Sequence, residues 1–195
     1  MAQEIEIEVK SMLSEESYNA LLQGFHLDKT AAITQHNHYF ETPSFALKAA
    51  HSGLRIREKN GSYTLTLKQP HEVGKLETHQ ALEEKEWLHA KKEGILPEGN
   101  VVTQLEALKV PLSELTYVGT LTTERIEINY NQGLLCFDKS LYFDQTDYEL
   151  EFEGISEEHA NSTLLTLLAD YKLDYASTEN KVRRFFTRKN QIEKA

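Results

Sequence analysis

A single cysteine, Cys136, stands in a chain of 195 residues, so no intrachain disulfide can form. Its neighbours Leu134, Leu135 and Phe137 mark it as an ordinary strand residue, and this sparing use of cysteine fits a reducing, cytoplasmic setting. No apolar run approaches the roughly 20 residues that a membrane helix needs. No basic segment followed by an apolar one opens the chain, so neither a membrane anchor nor a signal peptide is expected. A Gly-rich phosphate loop of the P-loop or Rossmann kind is missing, as is an alternating β-α-β series. Basic residues are outnumbered, with 21 Lys and Arg against 31 Asp and Glu, a net charge of −10. That excludes a general DNA-binding or anionic-membrane surface, but not a local basic pocket for a phosphorylated ligand. Internal repeats, low-complexity segments and linkers are also absent. The 39% of hydrophobic residues suffices for a core, and the length suits one domain over residues 1–195.

What the chain does have is a set of strands with one apolar and one ionic face. In Glu4-Ile5-Glu6-Ile7-Glu8-Val9-Lys10 the apolar residues alternate strictly with charged ones, the signature of a β-strand. Three carboxylates two residues apart repel one another unless a cation lies among them. The pattern returns in Asp147-Tyr148-Glu149-Leu150-Glu151-Phe152-Glu153. Between these acidic strands lie basic ones: Leu54-Arg55-Ile56-Arg57, Thr64-Leu65-Thr66-Leu67-Lys68 and Thr123-Glu124-Arg125-Ile126-Glu127-Ile128.

The remaining pattern predicts α+β. After a first strand over 3–10, Ser14 caps a helix near 14–24, with Gly24 as its end signal. A strand near 32–41 stops at Thr42-Pro43, and a short helical turn covers 44–50. Asn60-Gly61 joins strands 53–59 and 62–69 as a hairpin. A strand follows Gly74 through Thr78. Helices are expected over 83–94 and 101–109, and the first of these packs Trp87, Leu88 and Ile95. Strands near 116–129, 133–138 and 146–153 come next, with a turn at Asn131-Gln132-Gly133. Ser156 caps a helix over 157–171, and residues 179–186 form a basic, partly apolar tail. The count is about eight strands.

Glu6-x-Glu8-x-Lys10 matches the opening signature of the CYTH domain, and the rest of the chain resembles that family in order. Arg55-x-Arg57, Leu65-Thr66-Leu67-Lys68, Arg125, Asp138, Glu149-x-Glu151 and Lys181-x-x-Arg184 follow one another as in the triphosphate tunnel metalloenzymes, and Tyr39-Phe40-Glu41-Thr42 resembles the family's Tyr-Phe-Asp-Thr stretch. Two departures stand out. Glu41 replaces an Asp and is not expected to be catalytic. Lys75-x-Glu77-x-His79 stands where many members carry Arg-x-Glu-x-Glu, which puts a metal role for position 79 in doubt. The resemblance implies an eight-stranded antiparallel β-barrel with helices outside and its ionic faces turned into a tunnel. Charges of both signs can fill such an interior only if hydrated, bridged or holding a ligand.

The implied chemistry is metal-dependent hydrolysis of a triphosphate-containing small molecule, with inorganic triphosphate favoured. Phosphoryl transfer depends on positioning and charge neutralisation, and a triphosphate carries about four negative charges. The resemblance assigns Lys10, Arg55, Arg57, Lys68, Lys75, Arg125, Lys181 and Arg184 to its oxygens. It assigns Glu6, Glu8, Glu149 and Glu151 to Mg2+ or Mn2+, with Glu77, Asp138 and Glu153 as further ligands. Glu6, Glu8, Lys10, Glu149 and Glu151 form the catalytic set, and Glu4 falls outside it. Adenylate cyclases, thiamine triphosphatases and RNA triphosphatases share the cradle, so it does not choose among them. A module that binds polyphosphate or a nucleotide without turning it over is the other class of function. Apolar outer strand faces leave a homodimer open.

Each motif also has a plainer reading. Alone, the Glu4/Glu6/Glu8 face is a solvated strand, Arg55/Arg57 an exposed edge, and Lys181/Arg183/Arg184 a solvated tail. Only their ordered combination points to a site. His36-x-His38 puts two imidazoles on one strand face without an evident third zinc ligand. His26, His51, His71, His89 and His159 read as surface residues.

Overall fold

The computed structural model describes residues 3–194. Among them are nine strands: β1 (Gln3–Glu6), β2 (Glu8–Leu13), β3 (Ile33–Glu41), β4 (Gly53–Lys59), β5 (Ser62–Pro70), β6 (Lys75–Leu82), β7 (Thr116–Tyr130), β8 (Gly133–Tyr142) and β9 (Gln145–Glu153). Six α-helices accompany them: α1 (Glu15–Gly24), α2 (Ala46–Ala49), α3 (Glu84–Glu93), α4 (Asn100–Ala107), α5 (Glu157–Asp170) and α6 (Lys181–Glu193). The α+β class with an antiparallel sheet is the one expected. The ninth strand arises because the opening acidic segment divides at Ile7. Its first piece pairs with β6 and its second with β9, so one strand becomes two.

The chain forms two compact units. Unit one holds the residues up to Glu6 and Gln35–Leu121; unit two holds Ile7–Thr34 and the chain from Thr122. Strand β7 belongs to both, its first part to unit one and the remainder to unit two. Within unit one the strand order is β1-β6-β5-β4-β3-β7, and within unit two it is β7-β8-β9-β2.

In unit one, Leu54 and Ile56 of β4, Leu65 and Leu67 of β5, and Phe40 of β3 pack against Trp87 and Ala90 of α3 and Val101 and Leu105 of α4. The residues between them on β4 and β5, Arg55, Arg57, Thr66 and Lys68, therefore take the opposite face. Unit two repeats the scheme. Leu135 and Phe137 of β8 and Leu150 and Phe152 of β9 pack against Tyr18, Leu21 and Leu22 of α1 and Ala160, Leu164, Leu167 and Leu168 of α5. Asp138, Glu149 and Glu151 are thereby turned to the other face. Each buried Leu or Phe contributes roughly 1.5–3 kcal/mol by leaving water, and this apolar gain holds the ionic residues at fixed register.

The turns obey their residues. Asn60 and Gly61 both adopt left-handed φ, 53° and 72°, and Lys59 pairs with Ser62, as a two-residue hairpin requires. Asn131 and Gln132 do the same between Tyr130 and Gly133. Helix α1 begins where predicted, with Ser14 Oγ accepting from the Ser17 amide. The helix ends at Gly24 as expected, and this glycine also permits close packing: a Cβ there would come 2.3 Å from the Tyr171 hydroxyl oxygen. At the end of α3, Gly94 does take the left-handed conformation.

Three expectations change. Leu88 and Ile95 are exposed at 54% and 58%, because they fall on the side of α3 and its exit loop turned from the core that Trp87 enters. The basic tail is helix α6, capped by Asn180, whose Oδ1 accepts from the Arg183 amide, and anchored by the fully buried Phe185. His159 is half-buried: its Nε2 lies 2.9 Å from the Asn131 carbonyl, and its Nδ1 accepts from the Ile155 amide. His38 stacks on Trp87 at 4.0 Å, with Nδ1 2.7 Å from Thr120 Oγ1, so it is a core histidine.

Burial, with Lys91 and His36 adding to it, pushes the His38 imidazole down to about 4 from an ordinary 6.5. The unfolded chain then takes up a proton between these values that the folded chain refuses, so stability falls as pH drops through this window. Acid titration of unfolding free energy is expected to show a loss of about 3 kcal/mol between pH 6.5 and 4, and His38→Gln is expected to flatten that slope. An unchanged slope in the variant would refute this account of His38.

Candidate functional site

In unit two the strand register brings charges together row by row. Arg125 of β7 stands opposite Asp138 of β8, which stands opposite Glu149 of β9. Glu151 stands opposite Lys10 of β2. Arg125 forms a fork on Asp138, with Nε to Oδ1 and Nη2 to Oδ2 both at 2.6 Å, and also reaches Glu151. Helix α6 contributes from its first turn. Lys181 Nζ lies 2.7 Å from Asp138, 2.9 Å from Glu149 and 2.5 Å from Glu151. Arg184, one turn on, bonds Glu149 at 2.7 Å and Asp147 at 2.8 Å. Lys10 completes the group, 2.8 Å from Glu8 and 3.3 Å from Glu151.

Asp138 and Glu149 are fully buried and Glu151 is 3% exposed. Burial alone would raise the Glu151 carboxyl, yet Lys10, Lys181 and Arg125 outweigh it and hold it well below the usual carboxylate range. Lys181 moves the opposite way: burial opposes its charge, but Asp138, Glu151 and Glu149 raise its pKa. Carboxylate oxygens of Asp138, Glu149 and Glu151 all lie within 4.8 Å of one another. An ammonium nitrogen already sits among them, so this oxygen set accepts a compact cation. Hard carboxylate donors of this kind suit Mg2+ or Mn2+.

Unit one has its own charged face. Lys68 Nζ bonds Glu6 and lies 3.2 Å from Glu77 Oε1, while Arg55 Nη2 lies 3.8 Å from Glu77 Oε2. Arg57 donates its Nε–H to Asn37 Oδ1 at 3.0 Å. Lys75, half-buried, is the register partner of Glu6. Glu77 is 4% exposed; burial would raise its carboxyl, but Arg55, Lys68 and His79 lower it. His79 Nε2 lies 3.1 Å from Glu4 Oε1 and 3.5 Å from Glu77 Oε2, and these three side chains form a second set whose ligand atoms lie within 4.8 Å.

The expected site residues thus fall into two groups. Glu6, Arg55, Arg57, Lys68, Lys75 and Glu77 lie on the ionic face of unit one. Glu8, Lys10, Arg125, Asp138, Glu149, Glu151, Lys181 and Arg184 lie together in unit two. Glu153 shares a row with Glu8, but among the described residues neither joins a three-ligand group. Three participants went unassigned in the sequence. Asp147 is held by Arg184 and by the Tyr142 hydroxyl at 2.7 Å; its place at the head of the Asp147–Glu153 alternation was the available signal. Asn37 holds Arg57 from the neighbouring strand, and Glu4 joins His79. Glu41, by contrast, is a helix anchor: its carboxylate accepts from the amides of Thr42, Leu47 and Lys48 at 2.8–3.0 Å, tying down α2. Burial raises the Cys136 thiol, so it is inert.

Comparison with known proteins identifies the family. Residues 4–186 match the family described as CYTH domain. The chain is 41% identical to the Bacillus subtilis (strain 168) protein named "Putative triphosphatase YjbK", over 98% of this chain and 99% of that one. A Bacillus halodurans crystal structure described as a "putative adenylate cyclase" superposes with a TM-score of 0.92 at 47% identity, covering 95% of this chain and 100% of that one. The Hippeastrum protein HpAC1, described as a "putative adenylyl cyclase" with a dominant triphosphatase activity, shares the fold at a TM-score of 0.80 and 22% identity, over 94% of this chain and 96% of that one.

If Lys181 Nζ is the cation that balances three buried carboxylates, its loss must be felt strongly. Lys181→Met is expected to cost about 3–5 kcal/mol in unfolding free energy, and added Mg2+ or Mn2+ is expected to raise its Tm more than that of the unaltered protein. Thermal melts with and without metal check both; a small Tm change indifferent to metal would count against the cation cage.

Proposed function

The chain belongs to the CYTH domain family, and on that premise we propose that it hydrolyses a triphosphate with the help of a divalent metal. Inorganic triphosphate is the favoured substrate, and the single functional domain includes both units. The observation that carries the reading is the cation cage of Asp138, Glu149 and Glu151, with Lys181, Arg125 and Arg184 packed against the same oxygens. A phosphate-binding module needs only the cations. Three buried carboxylates beside them add a demand for positive charge, which a metal–phosphate complex meets.

The proposed roles follow from the chemistry of each side chain. Arg55, Arg57, Arg125 and Arg184 present planar forks for phosphate oxygens; Lys10, Lys68, Lys75 and Lys181 supply point charges. Asp138, Glu149 and Glu151 would hold one Mg2+ or Mn2+, while Glu6, Glu8, Glu77 and Glu153 are the further carboxylates that the family resemblance assigns to metal. When bound, the ion neutralises charge on the phosphate chain and lowers the pKa of water. Water attacks the terminal phosphorus and gives up a proton to solvent as the bridging P–O bond breaks, and orthophosphate and diphosphate leave. Arg125 and Arg184 keep their charge throughout, because their pKa values are raised by the carboxylates around them after burial is overcome. Their positions are set before substrate arrives, which is how electrostatic preorganisation lowers a barrier. A reducing cytosol is the compartment this reading places it in.

The name of the Bacillus halodurans relative favours a second reading, cyclisation of ATP. Both are tested together by phosphate release from inorganic triphosphate, ATP and thiamine triphosphate with Mg2+, Mn2+ or EDTA, with cyclic nucleotide measured in the ATP samples. The expected result is orthophosphate from inorganic triphosphate, abolished by EDTA and reduced at least roughly 10-fold in Glu149→Gln. Cyclic nucleotide as the main product would replace the hydrolase reading. Tight triphosphate binding without turnover under any metal would leave only a binding module.

A further inference from the structure

Glu4 and His79, which meet at Glu77 in unit one, are side chains that the proposed chemistry leaves unexplained. Glu4 and Glu77 are direct partners across β1 and β6, and His79 follows Glu77 on the same face. The imidazole is held at both ends. Its Nδ1 lies 3.0 Å from Thr66 Oγ1, and its Nε2 faces two carboxylate oxygens, Glu4 Oε1 at 3.1 Å and Glu77 Oε2 at 3.5 Å. Metal-bound histidines are oriented in this way, one ring nitrogen toward an oxygen of the supporting shell and the other toward the ion. Glu77 is 4% exposed, and its solvent-shielded Oε1 has no hydrogen bond of good geometry, with Lys68 Nζ 3.2 Å away. Glu4, 62% exposed, opens the cluster to solvent.

We propose that Glu4, Glu77 and His79 form a metal site distinct from the Asp138–Glu149–Glu151 cage, selecting a first-row transition ion such as Mn2+, Co2+ or Zn2+ over Mg2+. The selectivity comes from the donor set. Mg2+ favours oxygen ligands and gives up its water reluctantly, whereas an imidazole nitrogen suits the transition ions. The ion's service to a triphosphate rests on the reading above; its binding does not.

Mn2+ alone is the probe, titrated without substrate and followed by electron paramagnetic resonance. Pulsed measurements on the bound ion are expected to show coupling to an imidazole 14N nucleus. His79→Gln should abolish that coupling and weaken the nitrogen-coupled Mn2+ by roughly 10–100-fold. His79→Glu, an all-oxygen set, should restore binding without nitrogen coupling and narrow the preference for Mn2+ over Mg2+. The proposal is overturned by Mn2+ that binds without 14N coupling in the unaltered protein, by coupling that survives His79→Gln, or by no Mn2+ binding. In the last two cases the cluster is a hydrogen-bonded histidine and carboxylate group with no metal role. Nitrogen coupling together with absent triphosphate turnover would sink the hydrolase reading and leave this site standing.

Discussion

Three buried carboxylates around one ammonium group set the terms for unit two. Asp138, Glu149 and Glu151 have almost no contact with water, and an isolated ion so placed would cost several kcal/mol. Lys181 makes the arrangement tolerable by meeting all three, with Arg125 and Arg184 occupying their remaining lone pairs. The folded chain is therefore committed to keeping the start of α6 against β8 and β9. Phe185, seated beside Phe143 at 4.9 Å, supplies the apolar contact that keeps it there.

The apolar faces do the complementary work. Alternation along β4, β5, β8 and β9 sends every second residue to a helix-covered core, so the intervening charges have no freedom of register. A slip of one residue would put Leu150 and Phe152 among the arginines and Glu149 and Glu151 under α1 and α5. Hydrophobic burial thus pins charged groups that would otherwise repel or drift. The geometry that suits a metal and a phosphate chain results from packing on the other side of the sheet.

Much of this was legible in the chain itself. Strand alternation, the Asn60-Gly61 turn, the Ser14 and Ser156 caps and the order of acidic and basic motifs all have local causes, and each appears where residue chemistry puts it. The failures share a different cause. The first acidic segment reads as one strand, but Glu4 and Glu6 answer to β6 while Glu8 and Lys10 answer to β9. Taken alone, the basic tail reads as solvated and not as a helix, because the carboxylates that bury its charges lie some thirty residues earlier and are brought to it only by folding. Glu41 reads only as a residue outside the catalytic set; its role as the anchor of α2 is visible only once the amides of Leu47 and Lys48 are in place.

Composition and periodicity determined the α+β class and the separation of ionic from apolar faces, because these depend on neighbours two to four positions apart. Tertiary structure decided which charge answers which. Lys181 pairs across thirty residues with Glu151, and His79 across seventy-five with Glu4. Coulomb attraction falls with distance in space and is indifferent to distance along the chain, so only the folded register could say where each cation ends.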